Sequence, residues 1–249
     1  MLNKVFRSAN DLYNLSLKKT VSMKKGVNLD YRKVVVNKPW GYEYLMFENE
    51  FVAIWILFLK KDQSTSIHCH PRKRTSLLVL SGNVCSSTLD TSFNLKELDG
   101  LMIENGVFHS TKAQSPEGAL IMEVETPPDK NDLLRLKDNY GREDKNYEGE
   151  KHMSHDFKKY EYCDFFRSGI PEKFDETRSV KNRRIRIIRD EVAKIVERTD
   201  CLNDSLFCFL DDGIIDNFVM NVGDLVDKKS LREISRKNEK TKCCLMLIS

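Results

Sequence analysis

Between about residues 31 and 136 the chain is a succession of short apolar runs: KVVVN, EYLMF, VAIWILFLK, TSLLVLSG, LMIENG and ALIMEVET. Each is of strand length, rich in β-branched and aromatic side chains, and closed by polar or glycine-bearing turn residues, the pattern of a strand rather than a helix. Many short strands at close spacing must satisfy their edges, and closing into a sandwich, jelly roll or barrel does so. An all-β fold is predicted. At 249 residues the chain is long enough for one large core or two modest ones.

Composition narrows the function classes. With 40% hydrophobic and 32% charged residues the chain is of ordinary globular type, and a net charge of +3 lacks the basic footprint of a nucleic-acid binder. No eighteen apolar residues run together as a membrane span requires, and the first residues, MLNKVFRSANDLYNLSLKK, lack the apolar centre of a signal peptide. A cytoplasmic protein with no membrane partner is expected. The seven cysteines include no CxxC pair and read as reduced thiols, and Met246, not cysteine, stands fourth from the end, where prenylation would need the thiol.

The strand-rich stretch ends near residue 142, giving a predicted order of an N-terminal extension (1–30), a β domain (31–142), a linker or wrapping segment (143–182) and a second, smaller β domain (183–249). The last part repeats the first in weakened form. SLLVLSGNV at 76–84 aligns with SLFCFLDDGII at 205–215, DGLMI at 99–103 with VGDLV at 222–226, and ALIMEVE at 119–125 with CCLMLIS at 243–249. All five histidines lie at or before His155, so a histidine site in the first copy has no counterpart in the second.

His68 and His70 are two apart, so on a strand both side chains leave the same face. His109 follows the turn at Gly106, where a neighbouring strand brings it alongside. Three imidazoles suit zinc, iron, nickel or copper rather than magnesium or calcium, which favour oxygen ligands.

These residues resemble the two motifs of the cupin superfamily. His68, His70 and Gly82 fall at the spacing of the first motif, with Thr75 where its glutamate ligand stands, and Gly106 and His109 fit the second, with Glu104 at its proline and Ala113 at its asparagine position. The resemblance implies a jelly-roll barrel followed by a smaller degenerate cupin-like domain, and a divalent ion held by His68, His70 and His109, zinc first, with iron, nickel and manganese as the other candidates. Within cupins, KPWGYEY at 38–44, VLSGNV at 79–84 and LIMEVETPPDKNDLLRLKDNYGR at 120–142 resemble the isomerase domain of the phosphomannose isomerase and mannose 1-phosphate guanylyltransferase proteins. That resemblance implies an isomerase or epimerase of a sugar phosphate or nucleotide sugar, serving surface carbohydrate biosynthesis, with a homodimer as the assembly cupins commonly form.

For such chemistry Glu104, beside His109, and Glu123, on the closing strand, are the candidate proton carriers. Arg72, Lys73 and Arg74 in PRKR form a candidate phosphate grip, and Trp40 offers either a sugar-stacking face or a plug for the barrel end. Two other classes remain open. One is a three-histidine iron dioxygenase; the other is a non-catalytic sugar-binding or assembly module, since the second copy dispenses with histidines altogether.

Overall fold

A computed structural model describes residues 1–18, 29–143, 147–166, 175–198, 201–211, 221–237 and 241–249. In chain order the elements are β1 (Leu2–Val5), α1 (Ala9–Lys18), β2 (Val35–Lys38), β3 (Gly41–Glu48), β4 (Ala53–Leu59), β5 (Ile67–Cys69), β6 (Arg74–Ser81), β7 (Val84–Thr88), β8 (Ser92–Leu95), β9 (Gly100–Ile103), β10 (His109–Ala113), β11 (Ala119–Thr126), β12 (Leu134–Lys137) and β13 (Met153–Ser154). They continue with β14 (Asp175–Val180), β15 (Arg183–Glu191), α2 (Val192–Val196), β16 (Leu206–Phe209), β17 (Leu225–Asp227), α3 (Lys228–Lys237) and β18 (Lys242–Ile248).

Two sheets make the first unit. Eight strands run β1-β9-β6-β11-β4-β3-β2-β13 and five run β12-β5-β10-β7-β8. Within them β4-β11-β6-β9 opposes β5-β10-β7-β8, the eight-strand arrangement of a double-sheet jelly roll. Gly41 opens β3 at φ +152, where a Cβ would overlap the Phe58 carbonyl; only glycine lets these two backbones approach.

Period-two alternation sorts the side chains of the larger sheet. Along β4, Ala53, Trp55, Leu57 and Leu59 point into the barrel while Ile54 and Ile56 point out. Along β11, Ala119 and Ile121 point in and Leu120, Met122 and Val124 point out. The outward set is nevertheless buried, because the C-terminal sheet covers it: Ile185, Ile187, Leu206, Cys208, Cys244, Met246 and Ile248 complete the same apolar layer. The opposite face of that sheet, with Phe207, Phe209, Leu245 and Leu247, is sealed by Val192 and Ile195 of α2 and Leu231 and Ile234 of α3. Double burial explains why these runs read as almost continuously apolar.

The C-terminal sheet is antiparallel, in the order β14-β15-β18-β16-β17. That order reproduces β3-β4-β11-β6-β9 position by position, so the three pairs of similar stretches occupy equivalent places. Where the first unit has its second sheet, the described residues of this one place α2 between β15 and β16 and α3 between β17 and β18. Among the described residues it is thus an open sheet backed by helices rather than a second closed barrel, and its first described strand starts at Asp175, inside the stretch predicted as linker. The expected glycine turn at Gly213 lies outside the described residues.

The flanking segments are part of the first unit. β1 pairs parallel with β9, and buried Asp11 of α1 accepts the Phe108 N–H at 2.8 Å. Residues 147–166 wrap the barrel, adding β13 to β2 and packing Tyr160 edge-on against Tyr42 and Tyr162 at a tilt against Tyr44. Among the described residues no helix is long and apolar enough to cross a membrane.

Candidate metal centre

His109 on β10 lies directly opposite His68 on β5 in the antiparallel register, and His70, two residues beyond His68, returns to the same face. Ring centroids are 4.5 Å apart for His68 and His109, 5.0 Å for His68 and His70, and 5.5 Å for His70 and His109. One ring nitrogen from each falls within 4.8 Å of the others.

Backbone carbonyls orient all three rings. Nδ1 lies 2.8 Å from the Ser66 carbonyl in His68, 2.6 Å from that of Asp132 in His70 and 3.0 Å from that of Val107 in His109. With each Nδ1–H donated in this way, Nε2 carries the lone pair, the arrangement that positions a metal-ligating histidine. Nε2 of His70 and of His109 is buried with no hydrogen-bond partner. Orphaned buried acceptors are costly, and an ion would satisfy both.

Burial holds the His109 imidazole down to about 4 and pushes His68 and His70 well below the usual histidine value; the charges of His109 on His68, and of Lys73 on His70, depress these two further. The rings are neutral at pH 7, the form that binds a transition ion. Residue type, tautomer and protonation state all fit zinc or a neighbouring first-row ion.

The histidines line a cavity of about 60 Å³ with Trp40, Glu43, Lys73, Glu123, Glu125, Lys130 and others. Glu123 and Glu125 share the inward face of β11, and their environments differ. Glu125 accepts from Lys73 at 2.6 Å and has Lys130 at 3.7 Å. Burial by itself would raise its carboxyl, but the two ammonium groups outweigh burial and hold it below the ordinary glutamate value. Glu123 has no hydrogen bond or ion pair among the described residues; burial, reinforced by the Glu125 charge, raises it to about 7. Lys130 bridges to Glu43 at 3.0 Å and lies over the Trp55 ring at 3.4 Å.

The other predicted residues are dispersed. Glu104 pairs with Lys4 at 2.9 Å and lines a separate surface pocket, away from the histidine cavity. The PRKR side chains do not converge, because successive side chains leave the chain in different directions. Arg72 turns to the surface, paired with Asp129 at 2.6 Å and Asp132 at 3.2 Å; Lys73 turns inward to Glu125; Arg74 reaches Asp224 of the C-terminal unit at 3.3 Å. Trp40 is 4% exposed and packs in the barrel core, lining the cavity. Thr75 is buried with its hydroxyl unpartnered and lines the surface pocket rather than the histidine cavity.

Several lining residues escaped the sequence reading: Lys38, Glu43, Glu125, Lys130, Arg135 and Arg142. One signal was present for Glu125, since ALIMEVET puts Ile121, Glu123 and Glu125 on one face of a strand. Lys130 sits in a loop and carried none.

No protein-family model and no curated protein matches the chain. Solved structures similar to part of it include KdgF from Halomonas sp. (13% identity, TM-score 0.35, covering 37% of this chain and 84% of that one). An RmlC-like cupin from Shewanella frigidimarina matches at 15% identity and TM-score 0.36, covering 39% of this chain and 86% of that one. The capsular polysaccharide assembling protein CapF from Staphylococcus aureus matches at 14% identity and TM-score 0.39; the match covers 42% of this chain and 34% of CapF. The barrel is a double-sheet jelly roll, as its strand order shows. The histidines stand on the second and seventh strands of the jelly roll and in the loop that follows the second.

Proposed function

We propose that the cupin barrel is a metal-dependent isomerase or epimerase of a phosphorylated or nucleotide-linked sugar. His68, His70 and His109 would hold the ion and Glu123 would carry the proton. The observation behind this reading is that three neutral imidazoles and one partnerless buried carboxyl line the same cavity. A bound divalent ion supplies electrophilic polarisation of a carbonyl oxygen. Glu123, poised at about 7, is matched to taking a proton from the adjacent carbon and returning it at neutral pH. Lys73 and Lys130 keep Glu125 ionised, so that Glu123 is the one member of the pair able to exchange a proton there. Seven free cysteines suit a reducing, cytoplasmic setting. The role in surface carbohydrate synthesis is carried only by the phosphomannose isomerase resemblance.

The all-imidazole ligand set supports one second reading, a three-histidine iron dioxygenase. One experiment separates the two. Metal-loaded protein is incubated in heavy water with hexose, pentose and heptose phosphates and nucleotide sugars, and exchange is followed by NMR. Deuterium should enter one sugar beside its carbonyl, and Glu123→Gln should abolish entry while keeping the metal. Binding of a sugar without exchange of any would leave a binding module; oxygen uptake with a thiol would establish the dioxygenase.

A further inference from the structure

The cavity wall built by Lys38, Arg135 and Arg142 is cationic; the carboxylates that balance Arg142 do not line the cavity, and Lys38 is balanced both by one that does not, Glu148, and by one that does, Glu43 at 3.6 Å. Lys38 ends β2, Arg135 lies on β12, and Arg142 follows in the loop beyond it. All three line the cavity with the histidines. Glu148 and Asp138 are absent from the lining yet clamp Lys38 and Arg142 in place. One Glu148 oxygen accepts from Arg142 Nη1 at 2.6 Å and the other from Lys38 Nζ. Asp138 takes Arg142 Nε at 3.1 Å and Nη2 at 2.7 Å. Burial lowers the Arg135 guanidinium, and Glu148 is the largest charge opposing that shift, so Glu148 acts on all three cations. Lys38 and Glu148 have side chains 2% and 7% exposed, and that of Arg142 is 9% exposed. The carboxylates of Lys73 and Lys130, Glu125 and Glu43, line the cavity beside them, and Glu43 is shared with Lys38.

We infer that Lys38, Arg135 and Arg142 form the subsite for the phosphate group of the substrate, with Glu148 and Asp138 as positioning residues behind it. Fixed guanidinium and ammonium donors suit a tetrahedral oxyanion, and a buried wall on which Arg142 has both its counter-charges set back presents positive potential to whatever enters. The inference rests on the proposed sugar-phosphate chemistry for its ligand, and it relocates phosphate recognition from PRKR to residues far apart in sequence.

The test uses full-length, metal-free protein and inorganic phosphate, so that it depends on neither metal nor turnover. Isothermal titration should show saturable phosphate binding, at least tenfold tighter than acetate. Arg135→Gln should weaken it by tenfold or more. Glu148→Gln, which removes the balancing charge while keeping the side-chain shape, should tighten it several-fold. Circular dichroism and zinc stoichiometry measured on each variant confirm a folded barrel, and Arg135→Lys gives a second, milder variant expected to fall between wild type and Arg135→Gln. Absence of saturable phosphate binding in both wild type and Glu148→Gln overturns the inference, as does unchanged affinity in Arg135→Gln or acetate binding as tightly as phosphate. Deuterium exchange into an unphosphorylated sugar alongside no phosphate binding would sink this subsite and leave the isomerase reading standing. Phosphate binding with no exchange into any sugar would do the reverse.

Discussion

Replacing Glu123 by glutamine should make the protein more stable at high pH and leave it nearly unchanged at low pH. In the unfolded chain this carboxyl titrates near its ordinary 4.5, and in the folded barrel burial and the Glu125 charge raise it to about 7. Between those values the folded state keeps a proton that the unfolded state has lost. Unfolding free energy therefore falls as pH rises through this window, by about 1.4 kcal/mol per pH unit. The full stability is present below about pH 4.5, and about 3 kcal/mol of it is lost by the time Glu123 ionises in the fold. Glutamine fills the same space without titrating. Urea unfolding of metal-free wild type and variant from pH 5 to pH 8.5 should give a stability difference that opens steadily in favour of Glu123→Gln and levels off above about pH 7. A difference that is flat with pH, or one that favours the wild type increasingly at high pH, would mean that Glu123 is ionised and paired in solution and is not the proton carrier.

Lys73→Met removes one partner of a buried pair whose side chains are 1% and 2% exposed, and should destabilise the fold by about 3 kcal/mol in chemical denaturation. Adding Glu125→Gln should restore part of that loss, because no uncompensated charge then remains inside. His109→Ala should lose stoichiometric metal by elemental analysis. Outer partners of metal ligands are commonly worth roughly 10–100-fold in affinity, and loss of the ligand itself should exceed that. A chain ending near Arg142 should be insoluble or aggregated by light scattering. It would expose Tyr44, Met46, Ile54, Ile56, Leu78, Leu80, Leu120, Met122 and Val124 on one sheet face. At about 1.5–3 kcal/mol for each such side chain, that uncovering rivals the entire stability of a domain.

The strands and the three histidines were legible in the sequence because both depend on local periodicity. Alternation along a strand is a property of consecutive residues, and an HxH pair needs only that alternation to face one way. Even the repeated strand order of the C-terminal unit was visible as three pairs of similar stretches, since an apolar strand and its turn survive divergence. Sequence spacing failed wherever the answer depended on which surface covers which. The outward face of β4 and β11 reads as core in the sequence, and only the docked C-terminal sheet explains why it is buried. The replacement of a second sheet by α2 and α3 could not be read either, because short amphipathic helices and strands of this length carry similar apolar counts. The site charges show the same limit more sharply. Arg72, Lys73 and Arg74 look like one basic cluster, but chain direction separates them onto the surface, the cavity and the C-terminal unit. Lys38, Arg135 and Arg142 look unrelated, yet jelly-roll closure and the wrapping segment bring them to one wall. Charge in a sequence specifies what a group can bind; only the closed barrel decides which groups share a desolvated space, and within that space the Lys73 and Lys130 ammonium groups beside Glu125 are what separate its carboxyl from that of its neighbour Glu123.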